Sequence, residues 1–282
     1  MSRMTRLWVA IPDSAVSDAS ALREKTVKVG IIGRALAIFR VERVYLYTDE
    51  HGLHRRDGLL IRHLLEYMET PQYLRKRLFP RSKLLQFAGL LPPLRTPHHK
   101  LEVPPERIRI GEYREGVTVK KEGNTFVDVG LAQLVPVELE IEPDRRLTVV
   151  FTQQFPHLKC RPVKKEETGE YWGYEVVTAP SVLHLIRSAK PELLLLTSRY
   201  GKQFASIWPE FLNQVQKVET IMLVFGSPKR GLFEILREEN SDPHALSEYA
   251  VNTIPKQGTA TVRTEEALVS TLSIVNISLE IH

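Results

Sequence analysis

The chain has 282 residues, 39 Lys and Arg against 34 Asp and Glu, a formal net charge of +5, and 43% hydrophobic residues. That balance describes a globular protein with a sizeable core, built as one large domain or two to three smaller ones. Cys160 is the only cysteine, which excludes an intrachain disulfide. No uncharged run approaches the length of a bilayer span, so a soluble, cytoplasmic protein is expected.

The first predicted element is the strand "RLWVAI", which stops at Pro12 and is too short for a signal-peptide core. "ALREKTVKVGIIGRALAIFR" follows as a helix, with Val29, Ile32, Leu36 and Phe39 on one apolar face. Ser20 is its expected cap, with Glu24 near the first turn. "RVYLY" is the next strand, so the chain opens strand–helix–strand, as α/β sheets do. "DGLLIRHLLEYMET" and "PQYLRKRLF" read as helices, the second begun by Pro71.

From Pro71 to Leu101 there is no Asp or Glu, while Arg75, Lys76, Arg77, Arg81, Lys83, Arg95 and Lys100 are all present. This stretch alone carries more positive charge than the whole chain nets. A localised basic field of this kind attracts polyanions, so these residues, with His98 and His99 beside them, are expected to face RNA phosphates.

The character changes near Pro92-Pro93. "RIRIG", "GVTVKK", "TFVDVG", "PVELEI" and "LTVVF" show alternation or β-branched runs, with a hairpin turn at Glu122-Gly123-Asn124. Short strands at this density match a small OB-like barrel, an architecture that commonly binds oligonucleotides. After "KKEETGE" the α/β pattern returns with "YWGYEVV", "APSVLHLIRSA", "ELLLLT", "ETIMLVF", "RGLFEILRE" and "RTEEALVSTLSIVN". The expected organisation is therefore an α/β domain in two parts, residues 1–92 and 169–282, around an inserted β-rich domain at 93–168.

Three polar, Gly-bearing loops follow apolar strands near the C-terminus: "TSRYGK", "FGSPKRG" and "NTIPKQGT". Ligands of open α/β sheets bind at the carboxyl ends of strands, so these loops should converge. "GSPKRGLF" has Leu232 and Phe233 where a phosphate loop needs Lys and Ser or Thr. No GxGxxG or GxSxG is present, and the adjacent His98-His99 and lone Cys160 lack metal-ligand spacing, so no metal is expected. Thr264 reads as the N-cap of the last helix, with Glu265 and Glu266 in its first turn. Acids there complement the helix dipole and disfavour a phosphate, so a neutral or cationic ligand fits better.

Together these segments resemble the SPOUT class of S-adenosylmethionine-dependent RNA methyltransferases, in its archaeal and eukaryotic branch with an OB-like insertion. "LREKTVKVGIIGRALAIFRVERVYLY" is similar to the branch's first strand–helix unit, and "LLPPLRTPHHK" to the junction into the insert. "TSRYGK", "VFGSPKRGLFEIL" and "NTIPKQGTATVRTEEALVSTLSIVN" are similar to its three cofactor motifs. "RTEEA" also resembles the RTE-type motif of uridine-N3 rRNA methyltransferases.

The resemblance implies an α/β knot with a C-terminal trefoil, a mainly parallel sheet and a homodimer with its site at the subunit interface. It places Thr197 and Gly201 in the first cofactor loop, and Gly226, Ser227 and Gly231 in the second. Asn252, Thr253, Ile254, Gln257 and Gly258 form the third, closed by Val262, Arg263 and Thr264. Arg34 matches the arginine that ribose-methylating relatives use, and Arg199 is a second catalytic candidate. Where those relatives carry Asn, this chain has Gly30 or a neighbour, which argues against ribose methylation.

The implied activity is methylation of a uridine base at N3 in rRNA. Other readings stay open: another SPOUT position, ribose 2′-O or pseudouridine, or a catalytically weak RNA-binding or ribosome-assembly protein on the same fold. An imide N–H must lose its proton, and an Arg can stabilise the developing uridinate. Glu265, Glu266 and His184 are candidates for the base.

Overall fold

The computed structural model describes residues 5–50, 52–137 and 139–280. In chain order the elements are β1 (Arg6–Pro12), α1 (Leu22–Ile38), β2 (Val41–Tyr47), α2 (Arg55–Glu69), α3 (Gln72–Leu78), β3 (Tyr113–Lys121), β4 (Asn124–Asp128), β5 (Val135–Pro136), β6 (Arg146–Gln153) and β7 (Lys159–Val163). Then come β8 (Glu175–Ala179), α4 (Val182–Ala189), β9 (Leu193–Gln203), α5 (Phe204–Val215), β10 (Thr220–Val224), α6 (Leu232–Glu238), α7 (Pro243–Leu246), β11 (Tyr249–Asn252) and α8 (Thr264–Glu280). The fold is mixed α/β, and the chain forms two compact units.

The first unit comprises the residues up to 66, 84–93 and those from 174 onward. It holds a six-stranded sheet, ordered β11-β9-β10-β1-β2-β8, in which every pairing is parallel. Parallel strands are covered on both faces and so read as continuous apolar runs. Leu7 to Ile11 and Ile221 to Val224 are accordingly buried. One core layer joins Trp8, Tyr47, Leu196 and Val224 to Leu185 of α4 and Leu236 of α6.

Two local expectations change in this unit. Helix α1 begins at Leu22 behind Ala21, which is extended and offers no side-chain cap, so Ser20 does not cap it. "TSRYGK" is not a free loop, because β9 continues through it. β11 pairs with Leu196 on one side and with Lys202 on the other, so residues 197–201 bulge out of the ladder. Gly201 makes this possible: a Cβ there would lie 2.5 Å from the Val251 carbonyl carbon.

The second unit comprises Tyr67–Lys83 and Leu94–Gly173, so the helix "QYLRKRL" belongs with the β-rich segment. Its five-stranded sheet is ordered β5-β4-β3-β6-β7, and every ladder in it is antiparallel. Only an isolated parallel bridge, Val137 with Cys160, links the two edges, and no described ladder closes a barrel. "RIRIG" is not a strand; a short 3-10 turn at Pro105–Arg107 precedes the buried Ile108. "PVELEI" pairs only at β5 and Val137, and Glu138 lies outside the described residues. Cys160 sits in the core with Val127, Val149 and Phe151. Burial pushes its thiol up to about 12, which makes it unreactive at neutral pH.

Candidate functional site

All strands of the parallel sheet point the same way, so the segments that leave them lie along one edge. Leaving β10, Gly226 is tight: a Cβ there would lie 2.5 Å from the Leu232 backbone nitrogen. Ser227 closes the loop on itself, accepting the Arg230 N–H at 2.9 Å while its own N–H reaches the Arg230 carbonyl at 2.9 Å. Gly231 then caps α6.

Hydrogen bonds tie the three Gly-bearing segments together. The Thr197 hydroxyl donates to the Val224 carbonyl at 2.8 Å, joining β9 to the end of β10. The Asn252 side chain donates to the Arg199 carbonyl at 3.0 Å and accepts the Ile254 N–H at 2.9 Å. Arg199 donates to the Ala260 carbonyl at 3.4 Å and lies over the Tyr200 ring. The Gln257 amide closes its own loop on the Thr259 carbonyl, and Thr253 bonds Thr271 of α8 at 2.8 Å. Where a Cβ would stand at Gly231 and Gly258 there is nothing within 4 Å, so their backbone is approachable.

The start of α8 differs from expectation. Arg263, not Thr264, takes the cap position: its N–H donates to Glu266 Oε2 at 2.9 Å and its carbonyl accepts from Ala267. Thr264 is instead buried, with no partner for its hydroxyl among the described residues. Glu265 is buried as well, 3.1 Å from the Lys28 ammonium. Val262 is half-buried beside them.

Arg34 lies on α1 and donates to the Pro93 carbonyl at 3.1 Å. One turn earlier, a Cβ on Gly30 would meet Pro92 at 3.0 Å. This face of α1 is therefore packed against proline.

A buried carboxyl pair, outside the sequence motifs, stands at the ends of β1 and β2. Asp13 and Asp49 are both buried, and the Asp49 N–H faces Asp13 Oδ1 at 3.5 Å. Burial, then the hydrogen bond and charge of Asp49, raise Asp13 to about 7. Ser14 donates to Asp49 at 2.6 Å, and Arg230 of the second loop bonds the Asp49 carbonyl and pairs with Glu50 and Glu238. Tyr47 donates to the Phe225 carbonyl at 2.6 Å, and burial holds its phenol protonated. The signal was legible: in "IPD" and "YTD" an acid directly follows, or nearly follows, a buried strand.

In the second unit the basic segment divides. Lys76, Arg77, Arg81, Lys83 and Arg95 are exposed and Lys100 is half-buried, while Arg77 pairs with the exposed Asp144 at 2.8 Å. Arg75 is not available to RNA: it donates to the Thr70 and Met68 carbonyls and stacks on Tyr67. Nor are the histidines surface groups. His98 is fully buried and His99 half-buried, and both donate from Nε2 to the Glu69 carbonyl at 2.8 Å. Burial, then the neighbouring His98, pushes His99 down to about 4, so its ring is neutral at physiological pH.

Around them sits an ionic cluster. Arg146 bridges Glu69 at 2.5 Å and Glu115 at 2.7 Å. Glu115 also accepts from Thr148 at 2.5 Å and from the Trp172 indole at 2.6 Å. Burial opposes ionisation of Glu69, but Arg146, His98 and Lys165 outweigh it and hold the carboxyl well below the usual range. Among the described residues no group of three or more His, Cys, Asp and Glu is placed to hold a metal ion. No described helix is long and apolar enough to cross a membrane.

The fold thus defines an α/β protein whose linked loops lie along the ligand-binding edge of a parallel sheet. The family described as "Putative RNA methyltransferase" matches residues 6–275, and the chain belongs to that family. It is similar to the Drosophila melanogaster protein named 28S rRNA (uridine-N(3))-methyltransferase, 32% identical over 97% of this chain and 62% of the relative. The human protein of the same name is 31% identical over 97% of this chain and 78% of its own length. An uncharacterized protein of Haloarcula marismortui is 30% identical over 96% of this chain and 98% of its own. The chain therefore spans less than two thirds of the fly relative.

Proposed function

We propose that the protein is an S-adenosylmethionine-dependent RNA methyltransferase of the SPOUT class, acting on N3 of a uridine in rRNA. The observation that carries this reading is the linkage of the β9 bulge to the last residue of β10 through Thr197 and to the end of β11 through Asn252, with open backbone at Gly231 and Gly258. Family membership and the names of the fly and human relatives supply the reaction and the atom.

The residues fit the cofactor. Open backbone at Gly231 and Gly258 offers a flat base polar partners without side-chain obstruction, with Thr197, Gly201, Gly226, Ser227 and Ile254 shaping the loops beside it. Asn252, Thr253, Gln257, Val262, Arg263 and Thr264 close the loop around it, and the trefoil knot is the path by which the chain returns to do so. Bound there, S-adenosylmethionine supplies a methyl group on a sulfonium that leaves as a neutral thioether.

The chain's own residues orient the acceptor and stabilise its charge. Arg34 and Arg199 stand as guanidinium groups that face negative charge developing on the uracil oxygens. Lys76, Arg77, Arg81, Lys83, Arg95 and Lys100, with the OB-like sheet, hold flanking RNA. Helices α1 and α8 pack on each other and expose Val27, Ile31, Ile38, Val269 and Ile277, an apolar surface suited to a second copy of the chain. Nucleoside mass spectrometry of rRNA from cells with and without the gene tests the function: loss of 3-methyluridine is expected, and an unchanged profile contradicts it.

A further inference from the structure

Lys28 of α1 sits between two carboxylates: Asp18 at 2.5 Å and Glu265 at 3.1 Å. The triad has two acids and one base, so one negative charge is in excess. Asp18 reaches the surface, with 28% of its side chain exposed, whereas the Glu265 side chain is 6% exposed. The excess charge at the buried end is stabilised by the N-terminus of the 17-residue helix α8.

Glu265 is only half used. Oε1 faces Lys28, while Oε2 is buried without a hydrogen-bond partner among the described residues, as is the neighbouring Thr264 hydroxyl. Leaving such a group unmade costs about 1–3 kcal/mol, more when it is charged, and native structures satisfy nearly all of them. The other packed acids do not compete for the position. On α5, which packs against α8, Glu210 accepts from the Tyr249 hydroxyl. Glu266 is exposed and bonded to the Arg263 N–H. Two adjacent buried polar groups at the end of the third loop, the Thr264 hydroxyl and Glu265 Oε2, therefore have no partner among the described residues.

We propose that Glu265 accepts the N3 proton of the target uridine, with Lys28 and Asp18 as positioning residues. This rests on the uridine-N3 reading above. The N3–H bond breaks and its proton passes to Glu265 Oε2. The freed electron pair on N3 forms the bond to the methyl carbon as the sulfur–methyl bond breaks, its electrons returning to sulfur. Lys28 occupies Oε1 and so leaves Oε2 as the oxygen for the ligand. Glu265 releases the proton to solvent when the product leaves.

The test uses the full-length protein, deproteinised rRNA from a strain lacking the gene, and S-adenosylmethionine. Glu265→Gln keeps the shape and removes the base: single-turnover methylation falls about 10²–10⁴-fold, while calorimetric affinity for S-adenosylmethionine stays within about twofold of wild type, the spread of an interaction that leaves the cofactor untouched. Lys28→Met frees Oε1 and lowers the single-turnover rate with cofactor affinity unchanged, and Lys28→Arg restores it; a merely structural Lys28 leaves the rate of the folded variant in place. The thermal midpoint of Glu265→Gln, read without cofactor or RNA, stays level or rises, because a buried surplus charge is gone.

Full single-turnover rate in Glu265→Gln overturns the proposal, and so does loss of cofactor affinity, which assigns Oε2 to the cofactor ammonium instead. A clear fall in its midpoint overturns it too, as the mark of an ordinary structural ion pair. Wild-type protein that yields no 3-methyluridine overturns the reading of function, while the midpoint still reports on the carboxylate.

Discussion

Two polar clusters of this chain invite comparison: Glu69–Arg146–Glu115 in the second unit, and the loops along the parallel sheet with Asp18–Lys28–Glu265 in the first. In the former each carboxylate finds several donors, from Arg146, Trp172, Thr148 and His98. In the latter Thr264 and Glu265 hold buried atoms with no partner, and glycine backbone stands open. A satisfied buried network fixes a unique packing, while an unsatisfied one is explained by something that arrives.

The largest expected effect lies in the satisfied cluster. Arg146→Ala leaves two buried carboxylates facing each other and costs about 3–5 kcal/mol of stability, read by urea denaturation. A loss below about 1 kcal/mol would mean that the cluster is not a lock, since exposed pairs contribute that little. Next comes Gly226→Ala. Its new methyl must displace the Leu232 backbone, costing about 1–3 kcal/mol as other overpacking does, and it lowers S-adenosylmethionine affinity by calorimetry. Arg146→Ala and Gly226→Ala should therefore separate, the first affecting stability alone.

The two units should also respond to pH with opposite sign. Glu69 has a depressed folded pKa, so its contribution is present above the unfolded value near 4.5 and is lost as pH falls below it. His99, neutral in the fold down to about 4, adds a loss between its unfolded value of 6.5 and that point. Asp13 runs the other way. Its folded value near 7 lies above the unfolded 3.8, so stability rises as pH falls from about 7 toward 4. Asp13→Asn should raise the thermal midpoint at pH 8 and have little effect at pH 4. An equal shift at both pH values would contradict the raised pKa. The smallest effect belongs to the exposed cations: Lys76, Arg81 and Lys83 to Ala should each weaken RNA binding modestly and lower its salt slope by about one. Arg75→Ala should act mainly on stability.

Much of the α/β unit was legible, because parallel strands declare themselves as apolar runs such as "ELLLLT" and "ETIMLVF". The three loops could be located from what precedes them. The bulge at 197–201 could not, since it depends on pairing with Val251, distant in sequence. His98 and Arg75 misled for a related reason. Local charge marks a basic segment, but whether a given cation faces solvent depends on Glu69 and on backbone carbonyls it meets only after folding. Thr264 and Glu265 looked like a cap and a dipole partner. Only packing of α1 on α8 brings Lys28 to Glu265 and leaves the second oxygen vacant.

The most direct test of the central claim is a reconstituted reaction. Purified full-length protein is incubated with rRNA from a strain lacking the gene and with S-adenosylmethionine, and the nucleosides are separated and identified by mass spectrometry. The account predicts 3-methyluridine, dependent on S-adenosylmethionine and absent without the protein. A 2′-O-methylated nucleoside, or no methylated product from protein that binds the cofactor, would contradict it.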